Sequence, residues 1–262
     1  MNKSDNKLLD STDDVATRVE INTTYGNNNL RKWIPNHLDL KPNEKVLDIG
    51  CGNGLHIRDV ANVIKGENCC FGLDYDKDMI FQSQKVSNNS SPKINFFTMS
   101  MDDIGTSDKF SNNFFDLIYS VYAFYYTKNE IDLLNSLKTK LKSDGRISII
   151  GPHSDNNKDW WNFLFQFIKI DDNYCKYTNT EFMKNIENYA NNNFKEIEIT
   201  EFVNEVSIPS IDILQQYWKS NVYYDSEYDS EFEDYAKKHF DEFGNFQYSK
   251  KAAMITMKTP SF

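Results

Sequence analysis

The chain has 262 residues, of which 39% are hydrophobic and 15% aromatic. That is enough apolar side chain for a sizeable core, and it excludes a wholly disordered chain. A formal charge of −10, from 39 acids against 29 Lys and Arg, disfavours a nucleic-acid partner and favours a cationic one.

Residues 1–14 are polar and acidic with no apolar leader, and no stretch approaches the roughly 18 apolar residues of a membrane helix. The four cysteines, Cys51, Cys69, Cys70 and Cys175, have neither metal-ligand nor disulfide-scaffold spacing. The expectation is therefore a cytoplasmic protein with reduced thiols, no metal and no membrane partner. Short apolar runs then alternate with amphipathic stretches, the pattern of an α/β sheet with crossover helices. Residues 44–49 (EKVLDI) read as a buried strand, followed by glycines and a helical pattern through Leu55, Val60, Val63 and Ile64. Residues 68–73 give a second strand and 77–86 a helix. Strands follow at 94–98, 115–119 and 146–150, with a helix over 129–141 between the last two. Lys142, Ser143, Asp144 and Gly145 read as a helix stop and turn. Beyond lie an aromatic segment at 157–168, a helix at 179–193, an alternating strand at 194–206 and a helix opened by Pro209. A Tyr-, Asp- and Glu-rich segment runs from 221 to 246, and 252–257 reads as a final strand. Residues 208–247 are longer than a simple crossover, which suggests a lid insertion.

The sharpest motif is Val46-Leu47-Asp48-Ile49-Gly50-Cys51-Gly52-Asn53-Gly54, a hydrophobic strand entering a G-x-G-x-G turn and then a helix. Glycines let the backbone turn tightly and approach a ligand beside the helix N-terminus. A nicotinamide fingerprint wants Gly or Ala three positions after the second glycine, where this chain has Leu55. Asp48, two residues before the first glycine, is costly to bury without a donor or a positive charge and suits an ammonium-bearing ligand. Asp74, about 20 residues past the turn at the end of the second strand, is placed to accept both hydroxyls of a ribose; the alternative is a helix N-cap or turn residue.

These residues resemble class I S-adenosylmethionine-dependent methyltransferases. The resemblance runs from about Tyr25 to the final strand and is densest over 44–150. It implies a Rossmann-like α/β fold: a seven-stranded, mostly parallel sheet with an antiparallel last strand. It also implies S-adenosylmethionine as cofactor and S-adenosylhomocysteine as product. In that family the glycine loop, here Asp48, Gly50, Cys51, Gly52, Asn53 and Gly54, holds the methionine moiety. Asp74 holds the ribose, with Tyr75 and Met79 beside it. Phe96 to Ile104 matches the adenine segment, where the family often has Asp at the place of Ser100. Ser100, Met101 and Asp102 are the cofactor residues there, and whether Ser100 or Asp102 bonds the adenine amine stays open. Ser120 and Val121 would line the pocket, and Tyr25 in a leading helix would fold over it. One domain over 1–262 is expected: N-terminal helices at 1–40, a cofactor core at 41–155 and a substrate side at 156–262.

Methyl transfer needs alignment more than a base, so acceptor residues are less stereotyped. Tyr122, Tyr125 and Tyr126 follow the fourth strand, where they can hold an amine by cation–π contact or hydrogen bonds. His153, just past the fifth strand, is the first choice for a general base, with Tyr125 the second catalytic candidate. Trp160 is either core or one wall of the acceptor pocket, and Tyr223 and Tyr224 supply aromatic contacts from the acidic segment. His37, His56 and His239 read as solvated. The expectation is transfer to a small polar metabolite with no nucleic-acid partner, nitrogen favoured over oxygen. The alternatives are a peptide or protein side chain as acceptor, or a catalytically silent cofactor-binding scaffold.

Overall fold

A computed structural model describes residues 12–87, 93–169 and 181–260; Cys175 and residues 1–11 lie outside them. The chain divides into two compact units, and the division does not follow the consecutive blocks read from the sequence.

The larger unit comprises the described residues of 31–154, 181–202 and 252–260. It carries β1 (Val46–Ile49), β2 (Cys70–Asp74), β3 (Ile94–Thr98), β4 (Phe115–Val121) and β5 (Leu141–Pro152). Parallel register joins β3 to β2, β2 to β1, β1 to β4 and β4 to β5. Two further strands, β6 (Phe194–Ile208) and β7 (Phe246–Pro260), have residues in both units. They complete a seven-stranded sheet in the order β3-β2-β1-β4-β5-β7-β6, with β7 antiparallel to β5. All four residues of β1 are buried, which explains its unbroken apolar run around a single acid. The crossover helices here are α3 (Leu55–Ile64), α4 (Lys77–Ser87), α5 (Glu130–Lys140) and α7 (Glu181–Asn193). Asn129 caps α5 by accepting from the amides of Ile131 and Asp132. Of the leading helices, α2 (Leu30–His37) belongs here but for Leu30, and α1 (Thr12–Thr24) belongs to the smaller unit. The core includes Leu47, Ile49, Leu73, Phe115, Leu134, Ile149, Ile186 and Ile255. Lys142 to Gly145 do not form the expected separate turn. They belong to β5 and bulge out of its ladder, where Phe115 pairs with Leu141 but Leu117 already pairs with Arg146.

The smaller unit comprises the described residues of 12–30, 155–169 and 203–251. It contains α1, α6 (Lys158–Leu164), α8 (Ile211–Lys219) and α9 (Asp229–Phe243). Its core is aromatic: Trp160, Phe163, Tyr217, Trp218, Phe232, Phe246 and Tyr248. The acidic segment at 221–246 is largely the amphipathic helix α9, whose buried Phe232 and Ala236 belong to that core. Its acids Glu231, Glu233, Asp234, Asp241 and Glu242 are exposed, while Asp229 at its start accepts from the Trp218 indole and the Tyr224 hydroxyl.

Candidate functional site

The polar groups of the larger unit converge where β1, β2 and β4 end. β1 runs into a turn that only glycine takes without strain, with φ of +70° at Gly50, +51° at Gly52 and +75° at Gly54. Two backbone bonds lock the turn to β2, from the Gly50 and Cys51 amides to the Leu73 carbonyl at 2.8 and 3.0 Å. The glycines differ in what surrounds them. A Cβ on Gly50 would lie 2.3 Å from the Ala123 Cβ, and one on Gly54 would lie 2.9 Å from the Phe96 ring. A Cβ on Gly52 would meet nothing within 4 Å, so this glycine faces open space. Gly50 and Gly54 serve close packing, and Gly52 between them leaves open space.

Asp74 closes the turn from β2. Its Oδ2 accepts the Gly52 amide at 2.8 Å and its Oδ1 accepts the Asp76 amide at 3.0 Å. A carboxylate has about four lone-pair positions, so two remain for ligand hydroxyls. The N-cap of α4 is Asp76, whose Oδ1 accepts the amides of Asp78 and Met79, while Asp74 is also a turn residue through its bond from the Asp76 amide two residues on. Tyr75, 54% exposed, stands beside this carboxylate, and Met79 is half-buried on α4.

Asp48 is 1% exposed and takes a hydrogen bond from the Tyr119 hydroxyl at 3.1 Å. Burial pushes its carboxyl up to about 8; the Tyr119 bond opposes that rise and the Asp74 charge adds to it. Burial likewise pushes the Cys51 thiol well up, which makes it an inert wall. Ser120 is also buried, its Oγ donating to the Ile49 carbonyl at 2.9 Å. Ser100 caps the short turn at 101–103 by accepting the Asp102 amide. Asp102 Oδ1 is engaged by the Thr127 hydroxyl and by the Lys128 amide at 3.3 Å. Met101 is packed into the core beneath.

Next to the turn, β4 exits through Tyr122, a bulky residue at φ +52° whose amide bonds the Ile150 carbonyl. Non-glycine residues with such a φ are uncommon and concentrate at functional sites. Tyr125 is half-buried, its ring 4.7 Å from Tyr126 and 5.4 Å from Phe182, while Tyr126 is 44% exposed. His153 lies past β5, its Nε2 3.3 Å from Glu201 Oε1 on β6, in a crevice of about 130 Å³ floored by Met183 and Ile255.

The remaining candidates belong to the smaller unit. Trp160 is fully buried among Tyr217, Phe246 and Phe163, so its ring offers no surface to a ligand; this corrects the pocket-wall reading in favour of core packing. Tyr224 stacks edge-on to Trp218 and donates to Asp229, and Tyr223 packs against Trp161. Tyr25 is half-buried, its carbonyl accepting the Ser207 amide. Two histidines expected in solvent are not there. The His56 Nδ1 is buried without a partner and burial pushes the ring down to about 4, while His239 packs among Phe163, Phe243 and Phe246. Tyr119 and Ala123 escaped sequence reasoning. Their importance rests on the β1–β4 register, which pairs Asp48 with Tyr119.

Residues 46–145 match the family model described as a methyltransferase domain. A tRNA U34 carboxymethyltransferase of Pseudoalteromonas atlantica is 27% identical over 121 residues, covering 44% of this chain and 35% of that protein. The chain spans less than half the length of the first curated relatives it matches. Among solved structures, YcgJ of Bacillus subtilis superposes with a TM-score of 0.57 at 14% identity, covering 88% of this chain and 98% of that one. A Bacillus halodurans protein gives 0.58 at 13% identity, covering 88% and 99%. These two likenesses establish the fold.

Proposed function

We propose that this chain, whose residues 46–145 match a methyltransferase-domain model, is a class I S-adenosylmethionine-dependent methyltransferase that binds S-adenosylmethionine at the β1 turn and methylates an amine nitrogen of a small polar acceptor. The observation that carries the cofactor reading is the Gly52–Asp74 pair: a glycine facing open space, bonded to a carboxylate with lone pairs to spare. When bound, the cofactor supplies a methyl group on a positively charged sulfur, activated for in-line displacement. In this reading Asp74 accepts the ribose hydroxyls and the turn from Gly50 to Gly54 makes room for the amino-acid end. Ser100, Met101 and Asp102 serve the adenine. Tyr122, Tyr125 and Tyr126 hold the acceptor near the β4 exit, and His153 accepts the proton that leaves it. The charge of −10 supports a cationic acceptor, because it raises the local concentration of cations. The cytoplasm suits such an enzyme, and Cys51, Cys69 and Cys70 are free thiols. Among the described residues no helix is long and apolar enough to cross a membrane.

A second reading, transfer to RNA, is favoured by the relatives named for tRNA U34 and opposed by the acidic charge. Measuring S-adenosylhomocysteine formation with a panel of amines, carboxylates and phenols, and separately with bulk tRNA, decides between them. Turnover with amines alone is the expected result. Turnover with tRNA alone overturns the amine reading, and cofactor binding without turnover on any acceptor makes the chain a silent binder.

A further inference from the structure

The crevice beside His153 lies wholly in the larger unit, where β5 ends, and has about 130 Å³ of space. Its floor is apolar: Met183 from α7, Ile255 from β7 and Ile199 from β6, the last 41% exposed. Such a floor favours a carbon chain over water. An engineered apolar cavity of roughly 150 Å³ takes benzene, so this space suits a chain of about four to six carbons and is too small for a nucleoside.

The charged groups around it are unequal. Glu187 stands one turn beyond Met183 on α7, about 6 Å along the helix. It is half-buried and has no hydrogen-bond or ion-pair partner among the described residues. A carboxylate that has lost part of its water without gaining a cation is unfavourable. Lys184 on the same lining is exposed and keeps its own water. Glu201 adds a second acid, on the same face of β6 as Ile199 and 3.3 Å from His153. The crevice also adjoins the tyrosines of the β4 exit. Phe182, next to Met183 on α7, lies 5.4 Å ring to ring from Tyr125. A Cβ on Gly151 would be 2.4 Å from the Phe182 ring and 3.3 Å from the Met183 sulfur, so α7 packs directly on the end of β5. One wall therefore runs from Tyr125 through Phe182 and Met183 to Glu187, with aromatic rings at one end and a bare carboxylate at the other.

We propose that this crevice is the second half of the acceptor site and selects an aliphatic diamine: the chain lies on Met183, Ile199 and Ile255, and the distal ammonium meets Glu187. The inference rests on the proposed amine methylation and deepens it, by naming the class of amine. At the near end the reacting nitrogen gives one proton of its ammonium to His153. Its freed lone pair takes the methyl group, and the electron pair of the broken carbon–sulfur bond stays on sulfur. A distal carboxylate would meet Glu187 and Glu201 and is rejected, while a monoamine leaves Glu187 unpaired.

The test is NMR of the full chain, isotope-labelled at its methionine methyl groups and titrated with putrescine, the four-carbon diamine. Putrescine is expected to shift the Met183 resonance, which Met183→Leu identifies, and to bind about tenfold more tightly than n-butylamine or γ-aminobutyrate. Glu187→Gln, at a position with no partner to lose, should erase that advantage and leave n-butylamine binding unchanged. An unmoved Met183 resonance, or equal binding of putrescine by the wild type and Glu187→Gln, would overturn the inference. Formation of S-adenosylhomocysteine separates it from the reading on which it rests. Turnover of n-butylamine as fast as putrescine would overturn the diamine site and leave amine methylation standing. Turnover of tRNA alone would overturn amine methylation and the diamine site with it.

Discussion

In the larger unit, unusual backbone and a buried acid meet at the glycine turn. A buried acid, three left-handed glycines and a left-handed tyrosine all lie at the carboxyl ends of β1, β2 and β4. The smaller unit differs: its aromatic side chains close a core of rings 5–6.5 Å apart, and most acids of α9 are exposed. The contrast teaches that residue type does not identify a site. Tyr122 and Tyr217 are the same amino acid, but one holds a strained backbone at a strand exit and the other fills a core. Burial and backbone conformation, not aromatic richness, separate the two.

The largest expected effect breaks the smaller unit. Trp160→Ala should destabilise the chain by about 3–5 kcal/mol in urea unfolding, the usual cost of emptying a large aromatic site. Trp160→Phe should cost clearly less, because the indole Nε1 has no hydrogen-bond partner to lose. Unchanged stability of Trp160→Ala together with lost turnover would return this residue to the pocket wall.

On the other side of the comparison, Asp74→Ala should weaken S-adenosylhomocysteine binding by about 1.5–3 kcal/mol in calorimetry, roughly ten- to hundredfold in Kd. The glycines sharpen the contrast within the turn itself. Gly50→Ala drives a Cβ into Ala123 and should cost about 1–3 kcal/mol of stability. Gly52→Ala meets no protein atom, so its folding cost should stay near the roughly 1 kcal/mol of a left-handed alanine while ligand affinity falls. Comparable stability losses in the two variants would contradict the division between packing and ligand glycines.

Asp48 gives a prediction with a definite sign. Its folded-state carboxyl is raised, so its contribution to stability is fully present below the ordinary Asp range and is lost as pH rises through about 8. Asp48→Asn should therefore raise the Tm of the free chain at pH 8.5 by at least about 2 °C relative to its effect at pH 5. The opposite trend would mean that the carboxylate is stabilised in the free protein. The smallest effect belongs to the His153–Glu201 pair: Glu201, with 65% of its side chain exposed, should cost less than about 1 kcal/mol as Glu201→Gln in thermal unfolding.

Much of the larger unit was legible in the residues, because glycine conformation and strand burial are local matters. The run ending at Ile49 and the glycines after it sit where expected, and strand 94–98 has the expected bounds. The partners of those residues were not legible. That Tyr119 bonds Asp48, that Ala123 crowds Gly50, or that Thr127 holds Asp102 depends on register between strands distant in sequence. The helix at 229–243 was hidden for another reason. Phe232, Tyr235, Ala236, Phe240 and Phe243 recur at helical spacing, but the surrounding Tyr, Asp and Glu residues read as a polar segment and masked that period. The bulge at 142–145 was misread because Ser-Asp-Gly signals a break in the chain without telling a turn from a bulge.

The central claim, that the turn at Gly50 to Gly54 with Asp48 and Asp74 is a site for S-adenosylmethionine, is tested most directly by one calorimetric titration of the full chain with S-adenosylmethionine and, in parallel, with NAD. Binding of S-adenosylmethionine in the micromolar range, about −8 kcal/mol, is predicted, with no comparable heat from NAD. Tighter binding of NAD would contradict it.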